Sequence, residues 1–434
     1  MSQGTASPEA RSSLAQLPGG IWALGFVSLF MDISSEMIHG LLPVFLTSVL
    51  GASTEMVGLI EGVGEATASI TKLLSGWVSD KLGKRKVLTV IGYGLATLSK
   101  PLFALATTPH AVLAARFSDR VGKGIREAPR EAMVGDMVGT GLRGAAYGLR
   151  QALDTVGAFV GPLIAIVLMA TLHDNFRLIF WLALIPGLIS VVVLLVAVRE
   201  PPREPVATRA PLKFSDLRTL GTSYWIVVGI GAVLTLARFS EAFLILRAQS
   251  AGLSLALAPL VLVIMNIVYS LSAYPLGALS DKVDRKLILI TGFATLIVSD
   301  IVLALAPNLF VVMASVALWG LHMGMTQGLL AALVADVAPA NLRATSFGVF
   351  NFVGGIALLL ASLIAGALWE MVGPYATFMA GAALTAIGLV GTAAVREDRF
   401  LPQFYAVVLD CRTAGQTEHG AIPTVNAHVG HIPF

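Results

Sequence analysis

Two apolar runs, Val57–Val78 and Val87–Ala106, are each long enough to cross a bilayer as a helix, and only a short basic link separates them. Nothing else in the chain constrains its fold as much. A link this tight makes the two helices antiparallel neighbours across one membrane. The stretch reads Gly76-Trp-Val-Ser-Asp80-Lys81-Leu-Gly83-Lys84-Arg85-Lys86. Gly76 lets two helix backbones approach closely. Gly83 can take the positive φ that a tight turn often needs. Asp80 closes one helix, where it can accept hydrogen bonds from the free N–H groups of a neighbouring helix. Lys84, Arg85 and Lys86 are costly to carry into lipid and mark the cytoplasmic side.

The spacing recurs. Gly277-Ala-Leu-Ser-Asp281-Lys282-Val-Asp284-Arg285-Lys286 carries the same signature, displaced by 201 residues (277 − 76). Asp136, Leu142-Arg143 and Gly148 match Asp336, Leu342-Arg343 and Gly348 at a displacement of 200 (336 − 136). Two matches at nearly one offset, made by the rare polar residues and glycines, indicate two homologous halves in parallel repeat.

Gly-x-x-x-Asp-Lys-x-Gly-Lys-Arg-Lys after a second helix resembles the signature loop of the major facilitator superfamily. The resemblance covers roughly Gly20 to Arg396. It implies an all-α polytopic membrane protein: twelve transmembrane helices in two six-helix, pseudo-symmetric bundles around a central cavity. The second copy places Asp284 where the first has Gly83.

Composition agrees. The chain is 56% hydrophobic and 13% charged, with a mean hydropathy of +0.82, whereas a soluble domain is nearer a quarter charged. A soluble enzyme is excluded, and no nucleophile–base arrangement or phosphate loop points to an enzyme or an ATP-driven pump. The net charge of +3 is accounted for by basic loops and gives no reason to expect nucleic acid as a partner. No cofactor is implied. The single cysteine, Cys411, permits no intramolecular disulfide.

Five segments are expected. Residues 1–19 are a polar cytoplasmic lead without a signal-peptide pattern. Residues 20–198 form the first bundle and residues 223–396 the second. Between them, residues 199–222 hold Pro201, Pro202, Pro205 and Pro211 and read as a hinge. Residues 397–434 are a soluble tail. Positive charge clusters at the signature loops, the hinge and Arg396, which places both termini in the cytoplasm of a bacterial inner-membrane protein.

Charge inside the spans marks the chemistry. In the first span (Ile21–Leu50), Asp32, Glu36 and His39 share one helical face. The second carries Glu61 and Glu65 on one face. The fourth, His110–Asp136, holds Arg116, Asp119, Arg120 and Lys123 and cannot face lipid along its length. Its Arg120-Val-Gly-Lys123-Gly124-Ile-Arg126 resembles the fourth-helix motif of the superfamily. The fifth has Arg150 and Asp154 at i, i+4, then Gly157-Ala-Phe-Val-Gly161-Pro162. Gly-x-x-x-Gly-Pro resembles the motif of the superfamily's proton antiporters, with Ala165 where a further Gly is more usual. In the second half, Arg238 and Glu241 read as a self-satisfied pair, and His322 as a packing residue rather than a ligand.

An intramembrane carboxylate beside a cavity can exchange protons near neutral pH. Asp32 and Glu36 are therefore expected to couple transport to protons, against the alternative that Glu36 pairs structurally with Arg116 or Arg120. The first two spans and Asp119–Arg126 also resemble bacterial nickel-resistance permeases, and Asp32, Glu36 and His39 would suit a divalent metal. The tail carries only His419, His428 and His431. The expected function is a monomeric, proton-coupled exporter of a small solute, a divalent metal such as nickel being one candidate. A drug or organic-anion exporter is the alternative, and a non-transporting membrane sensor or scaffold is the alternative of another class.

Overall fold

The computed structural model describes residues 16–82, 84–139, 142–200, 220–280, 283–339 and 342–394, without the side chains of Asp80, Ala278, Ser280, Arg343 and Ala344. Gly83 and Asp281, the side chain of Asp80, most of the lead and hinge, and the tail therefore lie outside the described residues. The described chain is all-helical. Its spans are α1 (Gly19–His39, prolonged by Leu42–Val44 and the π-turn Phe45–Val49), α2 (Thr54–Leu82), α3 (Arg85–Leu105), α4 (Pro109–Met137), α5 (Arg143–Thr171) and α6 (Phe176–Leu182 and Leu184–Ala197). The second half repeats them as α7 (Thr222–Ala237 and Ala242–Ser250), α8 (Leu260–Ser280), α9 (Arg285–Leu305), α10 (Leu309–Val337), α11 (Arg343–Met371) and α12 (Pro374–Ala394).

Ten of these have both the length and the apolar composition to cross a membrane. The other two, α2 and α4, are as long but carry the interior charge. They are shielded from lipid by packing on each other and, for α4, on α3. Outward-facing Leu98, Val196, Leu271, Ile387 and Val390 are exposed, as lipid contact requires. The chain is thus a polytopic membrane protein of twelve helices in two six-helix bundles.

Local chemistry repeats with the sequence. Thr108 caps α4 by accepting from Ala111 N–H, and Asn308 caps α10 by accepting from Val311 N–H, 200 residues on. Arg85 Nη1 donates to Asp136 Oδ2 at 2.6 Å, tying the start of α3 to the end of α4. Arg285 makes the equivalent pair with Asp336. The signature loops therefore brace corresponding corners of both bundles.

The halves meet along two seams. Along one, α2 follows α11 over most of its length, from Thr54 against Gly366 and Gly58 against Ser362 to Leu73 against Gly348. Small residues permit this: a methyl added at Gly58 would stand 2.2 Å from the Ser362 carbonyl oxygen. The other seam, α5 against α8, is sparser. At the end away from the signature loops, Thr54 donates from N–H (2.9 Å) and Oγ1 (2.7 Å) to Glu370 Oε2 on α11.

Candidate functional site

The site grows from α4. Arg116, Asp119, Arg120, Arg126 and Arg130 follow one another at helical spacing, and all are buried. Buried cations persist when acids on neighbouring helices meet them. Arg116 Nη2 lies 2.6 Å from Glu61 Oε2, with the two side chains 3% and 1% exposed. One turn on, Arg120 Nη2 lies 3.2 Å from Glu65 Oε1. Asp119 points the other way, to Lys100 of α3, whose Nζ is 2.8 Å from Asp119 Oδ1 and 3.2 Å from Ser35 Oγ of α1. Glu127 takes Lys72 of α2 at 2.9 Å, with Lys123 at 4.0 Å.

The face of α1 that carries acids looks onto this array. His39 Nδ1 is 3.3 Å from Glu36 Oε2, and His39 Nε2 is 3.8 Å from Glu61 Oε2. Glu36 is 25% exposed and His39 16%, whereas Glu61 is enclosed. Glu36, His39, Glu61 and Arg116 thus form a continuous chain of ionisable groups from open space to a sealed ion pair. Behind them, α5 presses closely on α1. A methyl at Gly157 would meet Asp32 Cβ at 2.9 Å, and one at Gly161 would meet Glu36 Cβ at 2.9 Å. The two glycines of the Gly-x-x-x-Gly-Pro run therefore allow the close approach behind those two carboxylates, and Pro162 is buried beside them in α5.

A second cluster lies toward the signature-loop end. Arg130 Nη1 donates to Ser28 Oγ at 2.8 Å and Tyr93 Oη at 3.1 Å, and Nη2 to Glu131 at 3.0 Å. Arg150 pairs with Asp154, as its i, i+4 spacing indicates, and also with Glu131 at 3.3 Å. Arg126 stacks over Tyr93, 4.8 Å from the ring centroid, while its Nε and Nη1 find no hydrogen-bond partner among the described residues. Asp32 feels Asp154, Arg126 and Arg130 from this side, and Glu36 from its own helix.

The structure alters several expectations. Glu36 pairs with His39, not with Arg116 or Arg120; those arginines take Glu61 and Glu65. The Glu61 carboxylate of α2 stands between α1 and α4, 3.8 Å from His39 Nε2 and 2.6 Å from Arg116 Nη2. Asp32, Glu36 and His39 do not converge as a metal set. Asp32 faces the Arg130 cluster while Glu36 turns to His39, and no group of three His, Cys, Asp or Glu among the described residues is placed to hold a metal. Arg238 and Glu241 lie together in the break of α7 between Ala237 and Ala242, each feeling the other's charge without a close ion pair among the described residues. Glu241 also feels His39, Glu36 and Glu65 across the interface between the halves. His322 is fully buried and its Nδ1 donates to the Gly292 carbonyl at 2.9 Å.

Lys100 is legible in the sequence only as an interruption beside Pro101. A lysine in an apolar run with an aspartate on the next helix is the available signal. Gly76 lies 3.4 Å, by an added methyl, from Ala128 on α4, so it serves helix contact; Gly277 shows no such close approach.

The comparisons agree with this architecture. The model of the Major Facilitator Superfamily matches residues 24–357 and 228–404. An uncharacterized MFS-type transporter of Methanocaldococcus jannaschii is 33% identical over 378 residues, 86% of this chain and 94% of that one. Quinolone resistance protein NorA of Staphylococcus aureus is 31% identical over 106 residues, 24% of this chain and 27% of its own. Among solved structures, the nucleoside transporter NupG superposes with a TM-score of 0.73 at 13% identity, covering 86% of this chain and 99% of that one, and shows the fold alone. Repeated halves, braced signature loops and a charged interior shielded from lipid converge with these matches: the chain is a membrane transporter of the major facilitator superfamily, not an enzyme.

Proposed function

We propose that this transporter is a monomeric, proton-coupled exporter of a small organic solute, working by alternating access. The observation that carries the reading is the chain Glu36–His39–Glu61–Arg116. A proton arriving at partly exposed Glu36 loosens its hold on His39, and the imidazole turns its charge toward Glu61. That weakens the competing Arg116–Glu61 pair and so couples protonation to the packing of α1, α2 and α4. Asp32, one turn earlier on α1, is the second carboxylate and answers to Arg126 and Arg130. The glycines at 157 and 161 let α5 slide against the faces that bear both acids. The export direction follows the likeness of the Gly157–Pro162 run to antiporters and the partial match to NorA. A divalent-metal cargo has no ligand set among the described residues.

In this reading the signature loops face the cytoplasm, with Asp80 and Asp281 gating them, and reporters fused after Arg199 and Arg396 both give cytoplasmic signals. Transport is tested in everted vesicles carrying a pH-sensitive dye, with norfloxacin, ethidium and Ni²⁺ as separate probes. Proton release on adding an organic probe, lost in Glu36→Gln with the protein still folded, is the expected result. Release on Ni²⁺ alone restores the metal reading. Normal coupling in a stable Glu36→Gln protein removes the relay.

A further inference from the structure

Among the acids of the second half, Asp300 stands apart from the relay and from every charge. Asp300, in the middle of α9, is 0% exposed, and neither of its carboxyl oxygens has a hydrogen-bond partner among the described residues. An ionised carboxylate left so is prohibitively costly in a low-dielectric interior. Every element packed against it brings charge elsewhere or none. From α7, Arg238 faces Glu241 and Tyr269 of α8, and Arg247 donates to the carbonyls of Leu303 and Ala306. From α10, His322 is held by Gly292. The span α12 carries no charged residue. No charged side chain acts on Asp300.

What does lie beside Asp300 is the break in α7. An added methyl at Gly381 of α12 would stand 2.7 Å from Asp300 Oδ2, 3.1 Å from Phe239 and 3.2 Å from the Ala237 carbonyl oxygen. One carboxyl oxygen and one carbonyl at the end of an interrupted helix therefore flank a single spot, kept open because residue 381 is glycine. Interrupted helices expose carbonyls that bind small cations. Two oxygens are too few to enclose a metal ion, whereas a proton needs one donor and one acceptor.

We infer that Asp300 is a second proton-binding site, a carboxylic acid held neutral against the broken segment of α7, whose proton is released when that segment moves. The Ala237 carbonyl is the acceptor available to the acid. The site is separate from the Glu36 relay and stands or falls independently of it.

The test is infrared spectroscopy on the full chain in lipid, with the fold of each variant checked by thermal melting. At neutral pH the wild-type protein is expected to show a carboxylic-acid C=O band that is lost in Asp300→Asn and retained in Glu36→Gln. Asp300→Leu covers the case in which the amide itself packs badly; a neutral native acid requires at least one of the two variants to fold. A second readout joins the acid to the break: with Cys411→Ser and Ser240→Cys, maleimide labelling, taken relative to a free thiol at the same pH, rises at alkaline pH, and this excess is lost on adding Asp300→Asn. A band unchanged by Asp300→Asn, failure of both Asp300 variants to fold, labelling that ignores pH, or a sodium requirement for the labelling change would each overturn the assignment.

Discussion

The two halves differ most where their backbones agree best. Stepping 200 residues from the first bundle to the second turns Asp32, Glu36 and His39 into Ala232, Leu236 and Phe239. At the 201-residue displacement of the second span, Glu61 and Glu65 become Leu262 and Asn266; at 200, Arg116 becomes Val316 and Lys100–Asp119 becomes Asp300–Trp319. The helices, caps and loop ion pairs survive the step: Thr108 and Asn308 both cap, and Arg85–Asp136 and Arg285–Asp336 both form. What both halves retain is the apparatus that holds and moves a bundle. Ion binding on the scale of a network belongs to the first half, whereas the second keeps an aromatic core of Phe239, Trp319 and Phe378 with ring centroids 5.4–5.5 Å apart. The second half is the firmer wall and the first is the responsive one.

The hardest blow to this contrast is struck at Lys100. Lys100→Met strands Asp119 in a site where the lysine side chain is only 1% exposed, and breaking a buried pair by removing one partner costs about 3–5 kcal/mol. Thermal melting in detergent should show a loss larger than that from a single substitution at either seam between the halves. Lys100→Met with Asp119→Leu should recover most of it, because an apolar pair of similar volume replaces an ion pair at little cost. If the single variant melts like the wild type, the first half is not organised by charge and the comparison fails.

A smaller effect separates the seams. Gly58→Ala drives a methyl to 2.2 Å from the Ser362 carbonyl, and overpacking of this kind typically costs about 1–3 kcal/mol. Gly94→Ala, with nothing within 4 Å of the new methyl, is the control and should be neutral or slightly stabilising. Equal melting of the two variants would mean that α2 and α11 are not held together as tightly as their glycines allow.

The sequence disclosed the elements and the repeat more readily than the pairings. Apolar runs, Pro and Asn caps and the twice-written loop are local signals, and helices built from them fall within a few residues of where periodicity puts them. The pairings depend on how each helix is rotated about its axis, which a single sequence does not encode visibly. Arg116 had Glu36, Glu61 and Glu65 within plausible reach, and only the interposition of α2 decided for Glu61. The break in α7 was illegible for another reason. Arg238–Glu241 contains neither Gly nor Pro, and its one local signal is Ser240, whose Oγ accepts from Ala242 N–H at 3.3 Å as the second piece of α7 begins.

The smallest prediction concerns the one polar tie between the halves found among the described residues at the end away from the signature loops. Glu370 accepts two hydrogen bonds from Thr54 and so caps α2 from the opposite bundle. The repeat-related positions on the sparser seam are Leu255 and Ala170, whose side chains offer neither donor nor acceptor. The tie therefore exists on one seam only, the one along which α2 and α11 already run together. It is exposed to solvent, so its worth is that of a surface interaction, about 1 kcal/mol or less. That is too little to matter for folding but enough to tilt an equilibrium between two transport states severalfold. Glu370→Ala removes both bonds; Glu370→Gln keeps an acceptor and loses only the charge. With Cys411→Ser and Ile33→Cys as reporter, an impermeant maleimide added from the Thr54 side should react faster in Glu370→Ala than in wild type, with Glu370→Gln between them and melting temperatures unchanged. The same order should persist with a smaller spread when Thr54→Ala removes the hydroxyl share of the bond and leaves only the N–H share. If labelling is identical in all variants, closure at this end rests on glycine packing alone, and the asymmetry of the two seams is one of shape rather than of polar contact.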